Sequence, residues 1–405
     1  MSVAFLESEV MPELTSHDVV SILDYFEDLE DPRSTINRKH LLGDLIVISI
    51  CGVLAGADGP KAIGVWAQAN SDWLHQHLSL PHGIPSHDTI GRLLALLKPQ
   101  AFQTCFQNWI RSLRSHDNEH SRTTSDNNRK APVPEVIAID GKALRRSHDR
   151  KNNLGAMFLV SAWSVQKGIS LGQLATEEKS NEITAIPELI DNIDVEGAIV
   201  TIDAAGCQKN IAAKIIDGRG DYVLSLKGNQ GNLHQAAAQW IESQMANDFA
   251  DVTARKYEEI VKGHGRVDHL IYYQFRAPES LPGRSLWKGL RTIGIAIRIS
   301  KQGEVETSDT RIFISSLRLG VKRFAAAVRG HWGIENTLHW CLDVTFREDE
   351  SRLRDRHAAD NIAWLKRFAI SLFKQCQDKE SIAMRRRMAG WNTDYLAQVL
   401  GLKET

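Results

Sequence analysis

Apolar residues in the first part of the chain recur at the three- and four-residue spacing of amphipathic helices. The segment "HDVVSILDYFEDL" (17–29) shows this spacing, and "LLGDLIVISICGVLAG" (41–56) is apolar nearly all round, which predicts a buried helix. Ser86 or Asp88 is a candidate N-cap for the apolar-periodic run that follows. Residues 1–115 are therefore predicted to form an N-terminal helical domain, and the pattern is equally compatible with a DNA-binding helix-turn-helix and with a packing or dimerisation role.

The hydrophobic period changes from that of helices to that of strands after the polar stretch 116–131, which we interpret as a linker. Three β-branched or aromatic runs follow and predict strands, namely "EVIAID", "MFLVSAWSV" and "ISLGQLAT". Two helical patterns then alternate with two more predicted strands, "AIVTIDA" and "DYVLSLKGN". The resulting order β–β–β–α–β–α–β is typical of a mixed α/β sheet that presents ligands at the carboxyl ends of its strands.

The remainder of the chain predicts a helix, several more strands and then helices to its end. The further strands are "HLIYYQF", "RTIGIAIRI" and "ETSDTRIFISSL", and a long helical pattern resumes over 320–346. We therefore expect an α/β domain over 132–375, with a β-rich insertion at about 232–320, and a C-terminal helical tail over 376–405.

Composition describes a chain with little net charge, because 49 basic residues stand against 50 acidic residues in 405. Nine of the acids lie within residues 1–32, which contain no Lys or Arg, so the rest of the chain carries 49 basic against 41 acidic residues. This surplus permits polyanion binding without requiring it. The five cysteines form no CxxC pair, no signal-peptide pattern opens the chain, and the longest uncharged apolar run is too short to span a membrane. We therefore expect a cytoplasmic protein with no membrane partner.

Two of the predicted strands end in an aspartate, Asp140 and Asp203, in the shared pattern (V/I)-x-I-D-(G/A). Two carboxylates on adjacent buried strands repel each other unless a cation lies between them. Mg²⁺ prefers hard oxygen ligands and binds through one or two carboxylates together with substrate phosphate. The best candidate for a third carboxylate of a two-metal site is Glu335, in "RGHWGIENTLHW", on a helix whose apolar face would pack against the sheet.

Each of these acidic residues also has an interpretation without catalysis. An aspartate at a strand end is often a turn or capping residue, and a mid-helix glutamate such as Glu335 usually lies on a solvated face. The three acids at 348–350 are rivals for the third position, in surroundings that we expect to be more exposed. His331 and His339 flank Glu335 at four-residue spacing and offer a transition-metal site as an alternative.

Seven stretches spread over essentially the whole chain carry a family resemblance, namely "FEDLEDPRSTINRKHLLGDLIVISICGVLAGADG", "IPSHDTIGRLL", "IAIDGKALRRS", "TIDAAGCQ", "YVLSLKGNQ", "HGRVD" and "RGHWGIENTLHWCLDVTFREDESRLR". With them the chain resembles the H-repeat-associated proteins of Rhs elements, which are insertion-sequence transposases of the DDE class. The resemblance implies an RNase H-like catalytic core whose acidic triad falls on Asp140, Asp203 and Glu335. It also implies a β-rich insertion before Glu335, and the intervals agree, because 132 residues separate Asp203 from Glu335 and only 63 separate the two aspartates.

The sequence departs from the related transposases around Glu335. They carry a Tyr-x2-Arg-x3-Glu-x6-Lys signature, and this chain has Val328, His331 and Leu342 at the Tyr, Arg and Lys positions. Only the glutamate is kept, so the contacts that the relatives make with DNA ends do not carry over to these three positions.

The resemblance implies cleavage of DNA at the ends of the element and transfer of the freed 3′-OH ends into target DNA. Asp140, Asp203 and Glu335 would hold two Mg²⁺ or Mn²⁺ ions for both steps. The implied partners are the terminal repeats and the target DNA, and a homodimer on DNA, associated with the bacterial nucleoid when bound, is expected by analogy. Candidate DNA contacts are Lys142, Arg145, Arg146, Lys227, Asn229, Arg329, His331 and Trp332, with the basic runs 352–356 and 385–387.

Three other functions stay open on the sequence. The first is a DNA-binding remnant of a transposase that has lost catalysis, and the second is a metal-dependent nuclease without strand transfer. The third is a zinc hydrolase that uses His331 and His339. A cleavage assay separates the first two from an active transposase, and metal analysis identifies the third.

Overall fold

The computed structural model of the protein describes six stretches of the chain, which are residues 24–36, 38–108, 134–149, 151–176, 182–263 and 265–401. The described residues form two compact units, one drawn from 1–131 together with 357–405 and the other from 132–356. The predicted linker, 116–131, lies outside the described residues. Residues 357–375, which the sequence pattern assigns to the α/β domain, belong in the structure to the helical unit.

The helices and strands are numbered in the order in which they occur along the described part of the chain. The helices are α1 (Leu42–Leu54), α2 (Pro60–Ala69), α3 (Ser71–His77), α4 (His87–Leu96), α5 (Glu182–Asn192), α6 (Lys209–Asp217), α7 (Gly231–Ala246), α8 (Val321–Gly333), α9 (Arg356–Gln375), α10 (Ile382–Trp391) and α11 (Thr393–Leu400). The strands are β1 (Val136–Ala143), β2 (Phe158–Ser164), β3 (Ile169–Thr176), β4 (Ile199–Ile202), β5 (Asp221–Leu226), β6 (Arg255–Gly263), β7 (Arg266–Arg276), β8 (Thr292–Gln302) and β9 (Val305–Ser315).

The helical unit contains α1, which is buried along nearly its whole length, as its apolar sequence predicts. Ser86, one of the two predicted capping residues, caps α4 by accepting a hydrogen bond from the N–H of Thr89. Aromatic side chains fill the core of this unit, and the rings of Phe106 and Phe368 lie 4.1 Å apart between centroids. Within the described stretches, no helix combines the length and the apolar character needed to cross a membrane.

A nine-stranded mixed sheet forms the centre of the other unit, in the order β3-β2-β1-β4-β5-β9-β8-β7-β6. Strands β1, β4 and β5 are parallel, and the other neighbouring pairs are antiparallel. Along the chain the elements run β1-β2-β3-α5-β4-α6-β5, which is the order that the hydrophobic pattern predicts. The predicted mixed α/β architecture is confirmed at this level.

The strands of the predicted β-rich insertion extend this same sheet, because β9 pairs with β5 through Ile312 and Leu226. The hydrophobic pattern identifies β7, β8 and β9 but misses β6. Strand β6 lies at the edge of the sheet, and none of its residues is buried. Charged side chains on an edge strand discourage pairing with other chains, and they also hide the strand from a search for apolar runs.

Helix α8 packs against β1 and β4, where Phe324, Ala327 and Val328 are buried in one cluster with Val136 and Ile199. The helical segment continues beyond the end of α8, where Ile334–His339 and Cys341–Thr345 form π-helix. Short π-helical stretches alter the spacing of side chains along a helix and are frequent at functional sites. The predicted helix over 320–346 is thus confirmed with a change of winding, and this change falls on Glu335.

Candidate functional site

Asp140 lies where the pairing between the parallel strands β1 and β4 stops. The last paired residues are Ile139 and Ile202, and Asp203 is the first residue after β4. Strand β1 continues to Ala143 through its antiparallel pairing with β2, so the prediction that the strand ends at Asp140 is wrong. The two aspartates nevertheless follow equivalent positions of the two parallel strands and share one edge of that pair.

Asp140 is a buried carboxyl group with other carboxyl groups around it. Its side chain is 16% exposed, and burial is the main cause of a pKa raised to about 7. The charges of Asp203, Glu335 and Glu182 raise this pKa further, against the hydrogen bond that Asp140 Oδ1 accepts from the N–H of Gly141. The structure thus brings Asp203 and Glu335 within electrostatic reach of Asp140.

Asp203 is held by the backbone of the loop that follows it. Its Oδ1 accepts hydrogen bonds from the N–H groups of Ala205 and Gly206, at 3.0 and 3.3 Å. The Nδ2 of Asn229 stabilises the same loop by donating a hydrogen bond to the carbonyl oxygen of Ala204 at 2.5 Å. Asn229, predicted as a DNA contact, therefore supports the position of Asp203 in the structure.

Glu335 is exposed in the first π-helical stretch after α8, and its charge reaches Asp140. His339 of the same stretch places its Nδ1 3.6 Å from Oδ2 of Asp140. His331, by contrast, lies on α8 with its Nδ1 3.3 Å from Oγ1 of Thr201 in β4. The two histidines therefore contact different strands, His331 at β4 and His339 at β1.

A fourth carboxylate, Glu182, completes the acidic group and is not among the sequence candidates. It is the first residue of α5, only 3% exposed, and its charge contributes to the raised pKa of Asp140. A Cβ atom at Gly141 would lie 2.8 Å from Oε1 of Glu182, so the glycine leaves room for this carboxylate. A glutamate in a first helical turn is ordinarily explained by the helix dipole, and the sequence around Glu182 offers no other signal.

No three His, Cys, Asp or Glu side chains in the described stretches are close enough together to hold one metal ion. This contradicts a zinc site at His331, Glu335 and His339, because zinc takes three or four protein ligands. Mg²⁺ needs fewer, since it binds through one or two carboxylates and completes its shell with water and substrate phosphate. The hard oxygen donors of Asp140, Asp203 and Glu335 therefore suit Mg²⁺ or Mn²⁺.

A second acidic group surrounds Lys142, two residues beyond Asp140 on β1. The Nζ of Lys142 lies 2.7 Å from Asp343, 3.0 Å from Asp349 and 3.4 Å from Glu348. Burial by itself would lower the pKa of Lys142, but the attraction of Glu348 and the hydrogen bonds to Asp343 and Asp349 raise it overall. The ammonium group predicted to contact phosphate is therefore engaged by carboxylates. Glu348 is 2% exposed, so the expectation of exposed surroundings is wrong for this residue.

His331 is buried and neutral at pH 7, because burial lowers its pKa to about 4 against the opposing charge of Asp203. A neutral, buried imidazole does not provide the phosphate contact that a protonated His331 would make. Its neighbours in the relatives' signature are also buried and apolar, since Val328 and Leu342 are each at most 1% exposed. This segment therefore serves packing where the relatives' signature carries polar side chains.

Two other predicted DNA contacts on α8 have partners within the unit. The guanidinium of Arg329 forms an ion pair with Glu259 of β6, at 2.5 Å. Trp332 packs against the apolar cluster of the sheet, and the guanidinium carbon of Arg311 lies 5.3 Å from its ring centroid. Both side chains thus join α8 to the extension of the sheet, and stacking of Trp332 on a base would require it to leave this place.

The remaining predicted contacts divide into exposed and buried side chains. Arg145, Arg146 and Lys227 are exposed, and Arg145 pairs with Asp349 while 78% of its side chain stays accessible. In the run 385–387, by contrast, Arg385 and Arg386 are each 7% exposed. Their guanidinium groups donate to backbone carbonyls and carboxylates of the helical unit, such as those of Asp378 and Asp58. The prediction that this run tracks DNA is therefore wrong for two of its three arginines.

Comparisons with known proteins agree with one another on the kind of protein that the chain is similar to. Residues 131–372 match the family described as "Transposase DDE domain", and residues 23–110 match the family described as "DDE_Tnp_1-associated". The protein named "Putative transposase YncI" of Escherichia coli O157:H7 is 37% identical over 387 residues, which cover 94% of this chain and 95% of that protein. The protein named "H repeat-associated putative transposase YhhI" of Escherichia coli K12 is 35% identical over 389 residues, which cover 95% and 98% of the two chains.

Among solved structures, the chain is similar to a piggyBac transposase in a synaptic complex with hairpin DNA. The match has a TM-score of 0.38 and 10% sequence identity, and it covers 96% of this chain and 78% of that chain. The relatives in sequence, which are much more similar, decide the family.

Proposed function

The chain belongs to the family of transposases with a DDE domain, and we propose that it cleaves DNA at the ends of an insertion sequence and joins these ends to target DNA with divalent metal ions as cofactors. The observation that carries this proposal is the acidic group at the edge of β1 and β4, where Asp140 is buried within reach of the charges of Asp203 and Glu335. The strand order β3-β2-β1-β4-β5 supports an RNase H-like core for this part of the sheet.

In this proposal Asp140 and Asp203 hold two Mg²⁺ or Mn²⁺ ions, and Glu335 completes the second position. When bound, such ions activate water for attack on a phosphodiester and stabilise the leaving 3′ oxygen. The side chains of the protein contribute placement and charge, because the register of β1 and β4 sets the spacing of the two aspartates. Burial of Asp140 strengthens its attraction for a cation, since the local surroundings are less polar than water.

DNA is the proposed partner, with the terminal repeats of the element as one substrate and target DNA as the other. The exposed side chains of Arg145, Arg146 and Lys227 lie on segments that follow β1 and β5, and they are suited to contact phosphates close to the acidic group. Strand transfer requires two ends to be brought together, and we therefore propose that a homodimer assembles on DNA.

A cleavage assay on DNA that carries the ends of the flanking element tests this function. We expect Mg²⁺- or Mn²⁺-dependent nicking at the ends, followed by joined products when target DNA is added. Asp140→Asn should reduce nicking to the level seen with a chelator while DNA binding is retained. Asp191→Asn, which changes an exposed aspartate of α5, serves as the matched control and should cleave like the wild type. Cleavage by Asp140→Asn at the wild-type rate would contradict the assignment.

One observation favours a second function, a DNA-binding remnant without catalysis. Glu335 is exposed on a π-helical stretch, and the signature positions around it carry the buried apolar residues Val328 and Leu342. In that case the wild type and Asp140→Asn would bind the element's ends equally, and neither would cleave them with Mg²⁺ or Mn²⁺. The same assay therefore decides between the two functions.

A further inference from the structure

A cleft of about 1040 Å³ lies at the amino end of β8, three strands away from β4 in the sheet. Its walls include Thr292, at the first position of β8, which pairs with Ser315 at the end of β9. Ser315 in turn pairs with Val223 near the start of β5, whereas Asp203 follows the end of the parallel strand β4. Val223 also pairs with Thr201 of β4, two residues before Asp203, so the cleft begins about 7 Å from the level of the acidic group along the strands and, three strands away, about 14 Å across the sheet.

Four arginines line this cleft, which we call the arginine cleft, namely Arg276, Arg284, Arg291 and Arg318. Within the described stretches none of them forms an ion pair with a carboxylate, and Nε of Arg284 is buried with no hydrogen-bond partner. Two carboxylates also line the cleft, Asp251 and Glu279, and Asp251 accepts a hydrogen bond from Asn247. The cleft therefore has a surplus of two positive side chains, with guanidinium donors that have no acidic partner.

Buried hydrogen bonds fix the segments that carry these arginines. Gln274 is completely buried, and its amide donates to the carbonyl oxygen of Arg318 at 3.3 Å and accepts from the N–H of Gly320 at 2.8 Å. The N–H of Arg291 donates to the carbonyl oxygen of Ser315 at 3.0 Å. These hydrogen bonds hold the backbone at Arg291 and Arg318 in place without a ligand, which is the preorganisation that a binding site requires.

The chemistry of the arginine cleft selects an anion with several oxygen atoms. The guanidinium group presents a planar fork of donors that matches phosphate oxygens, and several of them together favour a phosphate over an isolated carboxylate. Trp240 and Phe275 line the same cleft with their rings in edge contact, at 5.5 Å between centroids, and they provide an apolar wall beside the arginines. A phosphate that is attached to a sugar and a base suits this combination.

We propose that the arginine cleft binds backbone phosphates of DNA at a distance from the phosphate that is cleaved. The inference rests on the proposed function, because that function supplies DNA as the source of the phosphates. The two offsets combine to a separation of roughly 16 Å, which corresponds to about five base pairs of duplex DNA at 3.4 Å each. Contacts with phosphates set the register of a duplex without reading its sequence, so the cleft would hold the element's end while the acidic group acts on the terminal phosphate.

Binding of fluorescent duplexes carrying the element's end tests this proposal in the full chain, with Arg276→Gln/Arg318→Gln beside the wild type. Each lost phosphate contact reduces the magnitude of the slope of log K against log salt by about one. We therefore expect this magnitude to fall by about two in the double variant and the affinity to fall at least tenfold. Cleavage should persist at saturating DNA. Arg219→Gln, an exposed arginine on the loop before β5, is the matched control and should leave affinity and slope unchanged.

Equal affinities and equal salt slopes for the double variant and the wild type would overturn the proposal. So would a variant that binds DNA normally but loses the rise in melting temperature that a free deoxynucleotide gives the wild type, because the cleft would then take a small phosphate ligand. Failure of the proposed function looks different, since the wild type itself would then neither bind nor cleave the element's end.

Discussion

Two acidic groups lie beside each other on β1, and they differ in what balances their charge. The group around Lys142 contains Asp343, Glu348 and Asp349, and its ammonium lies within 3.4 Å of all three. The group around Asp140 contains Asp203, Glu335 and Glu182, and within the described residues no lysine or arginine forms an ion pair with Asp140, Asp203 or Glu335.

The consequence of this difference appears in the pKa values. In the Lys142 group the carboxylates raise the pKa of the lysine, against its burial, and so keep its ammonium group charged. In the Asp140 group burial and the neighbouring carboxylates raise the pKa of Asp140 to about 7. Buried carboxylates with an internal cation hold a fold together, whereas those without one are stable only when protons or external cations reach them. We therefore propose a structural role for the first group and metal binding for the second.

Removal of the internal cation should have the largest effect on stability. Lys142→Met leaves three neighbouring carboxylates, one of them buried, without their ammonium, and we expect the free energy of unfolding to fall by about 3–5 kcal/mol. Chemical denaturation followed by fluorescence measures this change. Lys227→Met, at an exposed lysine after β5, is the control and should stay within about 0.5 kcal/mol of the wild type. Equal stability of both variants would mean that the ion pairs around Lys142 contribute nothing.

Removal of a carboxylate from the Asp140 group should increase the free energy of unfolding, in contrast to the loss expected for Lys142→Met. Between pH 4 and pH 7 the folded protein keeps a proton on Asp140 that the unfolded chain loses, so the stability of the wild type falls as pH rises through this range. Asp140→Asn abolishes this loss, and in metal-free buffer we expect the variant to be more stable by up to about 4 kcal/mol at pH 8 and equal to the wild type at pH 4. Thermal unfolding at the two pH values measures the difference. A variant less stable than the wild type at pH 8 would count against the raised pKa.

A steric change at Gly141 tests whether the acidic group depends on close packing. A Cβ at this position would overlap the ring of Phe158 and approach Oε1 of Glu182. We expect Gly141→Ala to reduce the free energy of unfolding by about 1–3 kcal/mol, because either the ring or the carboxylate must move. Gly155→Ala, where a Cβ meets no atom within 4 Å, is the matched control for calorimetry. If both variants unfold like the wild type, Gly141 is not needed to make room for Glu182.

The smallest effect is expected at the rim of the Lys142 group. Arg145 pairs with Asp349 at 3.1 Å but keeps 78% of its side chain exposed, so solvent screens the attraction. Arg145→Gln should change the free energy of unfolding by less than about 1 kcal/mol. The same variant should weaken DNA binding if the exposed arginine contacts phosphate, which a titration with the element's end measures.

The order of strands and the two aspartates could be predicted because both depend on local pattern. Buried strands give continuous apolar runs, and Asp140 and Asp203 interrupt such runs at equivalent places. Strand β6 could not be found in this way, because an edge strand with no buried residue has no apolar run. Glu182 was also out of reach, since its burial depends on how α5 packs against β2 and β3 and not on its neighbours in sequence.

Charged residues outside the strand ends were harder to interpret for a related reason. Lys142, Arg385 and Arg386 look in sequence like basic residues available to DNA. Lys142 and Arg386 instead meet acceptors from distant parts of the chain, and Arg385 donates to groups seven to twelve residues before it. Glu348 looks like a surface acid and is buried because Lys142 meets it from β1. The partner of a buried charged side chain is determined by tertiary packing, so it cannot be predicted from the neighbouring residues in the sequence.

A calorimetric titration with Mn²⁺ at pH 8 tests most directly the assignment of the two acidic groups. We expect the wild type to bind the ion and Asp140→Asn to lose this binding. Asp349→Asn, which removes a carboxylate from the Lys142 group, should bind as the wild type does. Undiminished binding in Asp140→Asn, or its loss in Asp349→Asn alone, would contradict the assignment of metal binding to the group around Asp140.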